Sequence, residues 1–163
     1  MNNYVKNQEY KSEVVFWSIA LPGFGQLLNR KYVKAFILIF LELIINVKGK
    51  INLVIVHSFL GEMHEAIDKA DYLWLMFYPC IYVFAIWDAY RDAGGEKYPF
   101  IYLPFVFAAY FGTIGVIYSS KFKIFGYLIG PIFLPIITMI LGFVIGFFIR
   151  RVIYSTIRKK GKT

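Results

Sequence analysis

The longest apolar run of the chain covers residues 124–149, and it limits the possible folds more than any other feature. Its 26 residues include no charged side chain, whereas a membrane core of about 30 Å is crossed by about 20 residues of helix. A straight helix would exceed that core by roughly 9 Å, so Pro131 and Pro135 favour a kink or a broken helix. The run predicts an integral membrane protein.

The composition of the whole chain agrees with that prediction. Hydrophobic residues make up 59% of the 163 residues, against about 45–50% in soluble domains. The aromatic share of 20% suits rings placed at both bilayer interfaces. We predict one all-α integral membrane domain over residues 1–163, with four transmembrane helices, an N-terminal re-entrant or short hairpin, and one amphipathic interfacial helix.

The other predicted spans cover residues 32–47, 72–90 and 100–119. Residues 1–13 form a predicted cytoplasmic tail or surface helix, and residues 151–163 a basic C-terminal tail. The second span ends with Asp88 and Arg91, which are three residues apart and can therefore form a salt bridge on one helix face.

A short apolar segment followed by a break defines the predicted hairpin, residues 14–29. Pro22 disfavours helical geometry in the residue before it, and Gly23 and Gly25 permit backbone angles closed to other residues. Gln26 and Asn29 then supply amides that can bond the peptide groups exposed by a bend at membrane depth. A full crossing, or a plain loop between two spans, are the alternatives.

The segment PGFGQLLNRKYVKA resembles a motif of a family of small bacterial membrane domains with no established activity, distantly similar to two-span "TM-two" domains. Pro22, Gly23, Gly25, Gln26, Asn29 and Lys34 match the motif. Leu28 stands where the family usually has tyrosine, and Arg30 where it usually has glycine. WDAYRDA, residues 87–93, resembles the Asp-Ala-Tyr-Arg segment of the same family. The resemblance covers roughly residues 14–93 and implies a bacterial membrane protein.

Glu42 and Asn46 are polar residues inside the first predicted span. An ionisable side chain at that depth is costly in lipid and therefore suggests a functional role. The alternatives are a hydrogen bond to a neighbouring helix or a position near the outer interface.

Residues 51–71 have the pattern of one amphipathic helix lying in the interface. Its polar side includes His57, His64, Glu65 and Asp68, which are side-chain types that bind divalent metals. The two histidines are seven residues apart, or about 10 Å along a helix, so one ion would need ligands from another segment. We favour a solvated helix face and predict no metal and no cofactor.

Two glycine pairs in the last run have the GxxxG spacing that lets helices approach closely in lipid. They are Gly126 with Gly130, and Gly142 with Gly146. The pairs are 16 residues apart and so face nearly opposite ways on an ideal helix. We therefore expect one pair to pack within the protein and the other to meet a partner.

Basic residues at the ends of the apolar runs predict the orientation in the membrane. The net charge of +8 is explained by anionic lipid at the cytoplasmic face rather than by nucleic acid. With both termini inside, 13 of the 18 Lys and Arg residues face the cytoplasm, which favours this orientation in a bacterial cytoplasmic membrane.

Three functional hypotheses remain open. No nucleophile stands with a plausible base, and no glycine loop suited to phosphate is present, so we favour a non-enzymatic scaffold or accessory subunit that binds another membrane protein or a second copy. The second is a small transporter or ion-conducting protein that uses Glu42 and the hairpin amides. The third is a membrane metalloenzyme at His57 and His64.

Overall fold

The computed structural model describes residues 3–95 and 99–160. Within them the chain forms nine helices and one small strand pair: α1 Asn3–Ala20, α2 Phe24–Leu28, α3 Tyr32–Gly49, α4 Ile51–Phe59, α5 Met63–Lys69, α6 Tyr72–Leu75, α7 Tyr78–Asp92, α8 Leu103–Tyr118, β1 Lys123–Ile124, β2 Tyr127–Leu128 and α9 Gly130–Lys160. Lys97 and Lys162, which the charge count included, and the outermost residues of the two predicted tails lie outside the described residues.

The prediction of an all-α fold is confirmed. Two helical segments of the described residues are long and apolar enough to cross a membrane: Tyr72–Asp92, with 21 residues, and Gly130–Arg158, with 29. The apolar helix α8 is shorter, with 16 residues. Helix α3 has 18 residues but includes Lys34, Glu42 and Lys48. Membrane-spanning length and composition are therefore found in two of the four predicted spans.

Helix α1 runs without interruption through residue 14, the predicted boundary between the N-terminal tail and the hairpin, and it ends at Ala20. Pro22 and Gly23 then form the turn, with a left-handed φ of 102° at Gly23. The polar N-terminal residues continue the helical hydrogen-bond ladder into the apolar segment because no breaking residue separates them.

The two arms of the hairpin lie beside the same half of α7. Helix α1 runs antiparallel to α7, with Val14 packed against Ala89 and Ala93. Farther along α1, the Ile19 carbonyl accepts a hydrogen bond from the Tyr82 hydroxyl. After the turn the chain returns toward the end of α7, and the Tyr10 hydroxyl donates to the Leu28 carbonyl at 3.0 Å. Residues 14–29 therefore run antiparallel to α7, turn, and return along the same side of α7.

The single amphipathic helix predicted over residues 51–71 is wrong. The chain forms α4 and α5 instead, separated by a turn in which Gly61 has a φ of 81°. That left-handed conformation interrupts a helix and is favoured by glycine. Helix α4 buries Ile51, Val54 and Ser58, and it packs against α3 and α9.

The helix predicted from Ile124 begins six residues later. Residues 123–128 form a two-stranded hairpin in which Ile124 pairs with Tyr127, and Gly126 occupies its turn with a φ of 87°. Pro131 follows at the start of α9, where its missing N–H costs no helical hydrogen bond. Of the two prolines, Pro135 alone therefore lies inside the helix.

The outcome for the glycine pairs follows from this change. Gly126 lies in the turn before α9, so Gly126 and Gly130 do not form the predicted pair on one helix. A side chain added at Gly126 would meet nothing within 4 Å. Gly142 and Gly146 instead lie against the backbone of α8 at Phe107 and Leu103.

Glycines on α8 meet α9 in the same way and complete this interface. A Cβ added at Gly112 would lie 2.5 Å from Met139, and one added at Gly115 would lie 2.8 Å from Pro135. Such distances are too short for any side chain. Absent side chains on both helices therefore make the close α8–α9 interface possible.

Candidate functional site

A buried carboxylate at the end of α7 connects three parts of the chain. The side chain of Asp88 is 2% exposed. It accepts hydrogen bonds from Lys34 Nζ at 2.8 Å and 3.1 Å and from Gln26 Nε2 at 3.3 Å. Arg91 Nη2, one helical turn away, donates to it at 2.8 Å. A buried carboxylate needs such partners because ionisation away from water is otherwise costly.

The hairpin amides bond the backbone of α7 as well. Gln26 Nε2 donates to the Ala85 carbonyl at 2.9 Å, and Asn29 Nδ2 donates to the Ala89 carbonyl at 2.8 Å. The Ala89 carbonyl also accepts the helical bond from Ala93, and a carbonyl has two lone pairs for this purpose. Side chains separated from α7 by about 60 residues of sequence thus fix α2 to it.

Lys34 extends these contacts along α7. Its Nζ lies 2.8 Å from Asp92 Oδ2 as well as 2.8 Å from Asp88 Oδ1. We call the six residues Gln26, Asn29, Lys34, Asp88, Arg91 and Asp92 the hairpin network. Sequence reasoning missed Asp92 and Tyr10, whose hydroxyl donates to Asn29 Oδ1 at 3.0 Å. The spacing of Asp92, four residues after Asp88, was the available signal, since it places both on one helix face.

Close backbone approach explains the motif glycines. A Cβ at Gly25 would lie 2.8 Å from both Ala89 and the Val14 carbonyl, so only glycine lets α2 fit between α1 and α7. Gly23 lies equally close to α3, where an added Cβ would be 2.9 Å from the Ala35 carbonyl. Arg30 has a φ of 58°, so this residue takes the left-handed conformation that glycine adopts without strain.

Glu42 and Asn46 lie apart from the hairpin network. Glu42 is 5% exposed, and its Oε2 has no hydrogen-bond partner among the described residues. The Tyr78 hydroxyl lies within hydrogen-bonding reach of the same carboxyl group. Asn46 instead donates to Asn52 Oδ1 at 3.1 Å. The polar residues proposed for a transport path are therefore divided between separate places.

The predicted polar helix face is also divided. His57 Nδ1 lies 2.7 Å from Glu62 Oε2, a residue the sequence had not singled out. His64, Glu65 and Asp68 belong to α5, beyond the Gly61 turn. Among the described residues, no group of three His, Cys, Asp or Glu side chains is arranged to hold a metal ion.

No family model matches this chain, and neither does any curated protein or solved structure. The fold and site define an all-α protein in which two helical segments of the described residues have the length and composition of membrane spans. Its distinguishing feature is the short helical hairpin fixed to α7 by the hairpin network.

Proposed function

We propose that the chain is a non-enzymatic scaffold or accessory subunit of the bacterial cytoplasmic membrane, related to the small membrane domains that its hairpin motif resembles. In this proposal α3, the segment of α6 and α7, α8 and α9 are four spans, both termini are cytoplasmic, and residues 14–29 are re-entrant. The return of α2 beside the same half of α7 supports re-entry over a full crossing.

An apolar stripe on α3 is the observation that carries the proposal. Its members lie on one face of the helix, and each is more than half exposed: Val33, Phe36, Ile37, Phe40, Leu43 and Val47. The opposite face of α3 buries Ala35, Leu38, Glu42 and Ile45 in the protein. A continuous apolar face of this kind suits packing against another helix.

The hairpin network supports a structural rather than a chemical role for the motif. Its ammonium, guanidinium and amide groups donate to carboxylates and backbone carbonyls of the same chain. The network connects the start of α3 to the end of α7, and it thereby fixes the direction in which α3 presents its stripe.

Site-specific photo-crosslinking tests this function. A photoreactive residue at Phe40 is expected to capture one defined membrane protein in intact cells, whereas the same residue at Ile140 on α9 is the matched control. The same partner should co-purify in mild detergent and be lost with Ile37→Ala plus Phe40→Ala. Isolation as a monomer without any crosslink at Phe40 would contradict the proposal.

A small transporter or ion-conducting protein is the second candidate, and Glu42 is the observation that favours it. A buried carboxyl oxygen without a protein partner is costly at membrane depth, and the neighbouring tyrosine hydroxyls of Tyr78 and Tyr82 make the place locally polar. Purified protein in vesicles would be assayed for proton and cation flux. Loss of flux in Glu42→Gln but not in Asn46→Ala would support transport, and unchanged flux would remove Glu42 from that role.

A further inference from the structure

A groove between α7 and α8 ends beside Arg91, a member of the hairpin network. It has a volume of about 670 Å³, and its middle is lined by apolar side chains such as Val83, Phe105 and Ala109. At one end Cys80 Sγ and Thr113 Oγ1 lie 3.5 Å apart, and Thr113 also donates to the Ala109 carbonyl at 3.1 Å. The Cys80 thiol and the Thr113 hydroxyl are therefore paired within the protein, and the groove offers a long apolar surface.

The other end of the groove is aromatic and cationic. Trp87 and Tyr102 line it, and the guanidinium carbon of Arg91 lies 4.4 Å from the centre of the Trp87 ring. The Arg91 side chain is 53% exposed, whereas its partner Asp88 is 2% exposed. The Asp88 carboxylate is thus buried, whereas the Arg91 guanidinium is exposed at the Trp87 end of the groove.

We propose that this groove is a binding site for one anionic phospholipid. An acyl chain lies between α7 and α8, and the phosphate accepts hydrogen bonds from Arg91. The guanidinium has five N–H groups, and Nη2 already donates to Asp88. The proposal rests on the membrane location in the proposed function but not on the partner at α3.

The chemistry along the groove favours a phospholipid over other occupants. A partner helix would have to supply an anion at the Arg91 end alone, because the thiol and the hydroxyl at the Cys80 end are already paired with each other. A lipid has the required asymmetry, with an anion at one end and hydrocarbon along the rest. From Cys80 to Trp87 the groove follows about 10 Å of helix, which is a large part of one membrane leaflet.

The test uses the full chain purified in detergent. Native mass spectrometry would titrate phosphatidylglycerol against phosphatidylcholine of equal chain length. One bound phosphatidylglycerol is expected, held about fivefold more tightly than phosphatidylcholine because one basic residue meets the anion. Arg91→Gln should remove this preference. Ala109→Trp, which fills the groove, should remove the bound lipid, while Val56→Trp at an exposed position of α4 is the matched control and should retain it.

Alkylation of Cys80, the single cysteine of the chain, gives a readout that needs no substitution. Phosphatidylglycerol in the groove should slow alkylation in the unaltered protein, and phosphatidylcholine should slow it less. Equal affinities for the two lipids, or unchanged alkylation, would overturn the proposal. So would a dimer that protects Cys80 without lipid, since the occupant would then be a second copy. None of these results depends on whether α3 binds a partner, so the crosslinking test at Phe40 remains a separate test.

Discussion

The N-terminal hairpin and the α8–α9 interface hold helices together by different means. The hairpin network joins α2, α3 and α7 through charged and amide groups that approach from distant parts of the sequence. The α8–α9 interface joins successive long helices through missing side chains and backbone contact. In the first, each partner has to be present in the right place. In the α8–α9 interface, the requirement is that no side chain separates the two backbones at the glycine positions.

This difference predicts different responses to substitution. Removal of one group from the hairpin network leaves charged neighbours without a partner, so the cost depends on electrostatics and burial. An added group at the α8–α9 interface separates two backbones, so the cost depends on volume. A substitution in one region should therefore leave the contribution of the other region to the free energy of unfolding unchanged, because the two regions share no residue.

Replacement of Asp88 should have the largest effect. Asp88→Asn removes the charge that Lys34, Arg91 and the Gln26 amide share, and we expect a loss of about 2 to 4 kcal/mol in the free energy of unfolding. The value stays below that for a fully buried pair because Lys34 and Arg91 are 42% and 53% exposed. Helical circular dichroism during unfolding in mixed detergent micelles would measure it.

Asp68→Asn is the matched control, since Asp68 is an exposed residue of α5. It should change the free energy of unfolding by less than about 0.5 kcal/mol. An Asp88→Asn protein as stable as the Asp68→Asn protein would show that the hairpin network contributes nothing to stability.

Replacement of a glycine at the α8–α9 interface should have the next largest effect. Gly142→Ala places a methyl group against the Phe107 carbonyl and the Phe111 side chain, and overpacking of this kind costs about 1 to 3 kcal/mol. The same unfolding measurement applies. Leu141→Ala, at a half-exposed position of the same helix, is the control and should cost less. A neutral Gly142→Ala would mean that α8 and α9 do not need close contact.

A double variant would test whether the hairpin and the α8–α9 interface contribute independently to the free energy of unfolding. In the double variant Asp88→Asn with Gly142→Ala, the losses should add to within about 0.5 kcal/mol because the sites share no contact. A larger deviation would show that the hairpin and the α8–α9 interface form one cooperative unit.

The sequence predicted those features that depend on neighbouring residues. The apolar runs predicted helices, and the spacing of Asp88 and Arg91 predicted a pair that lies 2.8 Å apart in the structure. The contacts of Asp88 with Lys34 and Gln26 span 54 and 62 residues, and no local periodicity encodes them. The resemblance to the motif predicts that these residues matter, but it predicts no contact between them.

The wrong predictions for residues 51–71 and 124–130 share a physical cause, which is a glycine turn inside an apolar segment. Gly61 interrupts the helix predicted over residues 51–71, and Gly126 turns the chain within the last apolar run. Both glycines have positive φ, a conformation that no hydrophobic pattern reports. Glu42 shows a further limit, since its burial, with no partner for Oε2 among the described residues, depends on how α3 meets α7.

The smallest predicted effect concerns strain in the hairpin. Arg30 has a φ of 58°, and a residue with a Cβ is disfavoured there by roughly 1 to 2 kcal/mol. Arg30→Gly should relieve that strain, although glycine also gains freedom in the unfolded chain. We therefore expect a net stabilisation of up to about 1 kcal/mol, measured as above. Gly23→Ala is the opposing control, because its φ of 102° and the nearby Ala35 carbonyl should make it destabilising. A destabilised Arg30→Gly would mean that the arginine side chain itself supports the hairpin, in addition to the hairpin network.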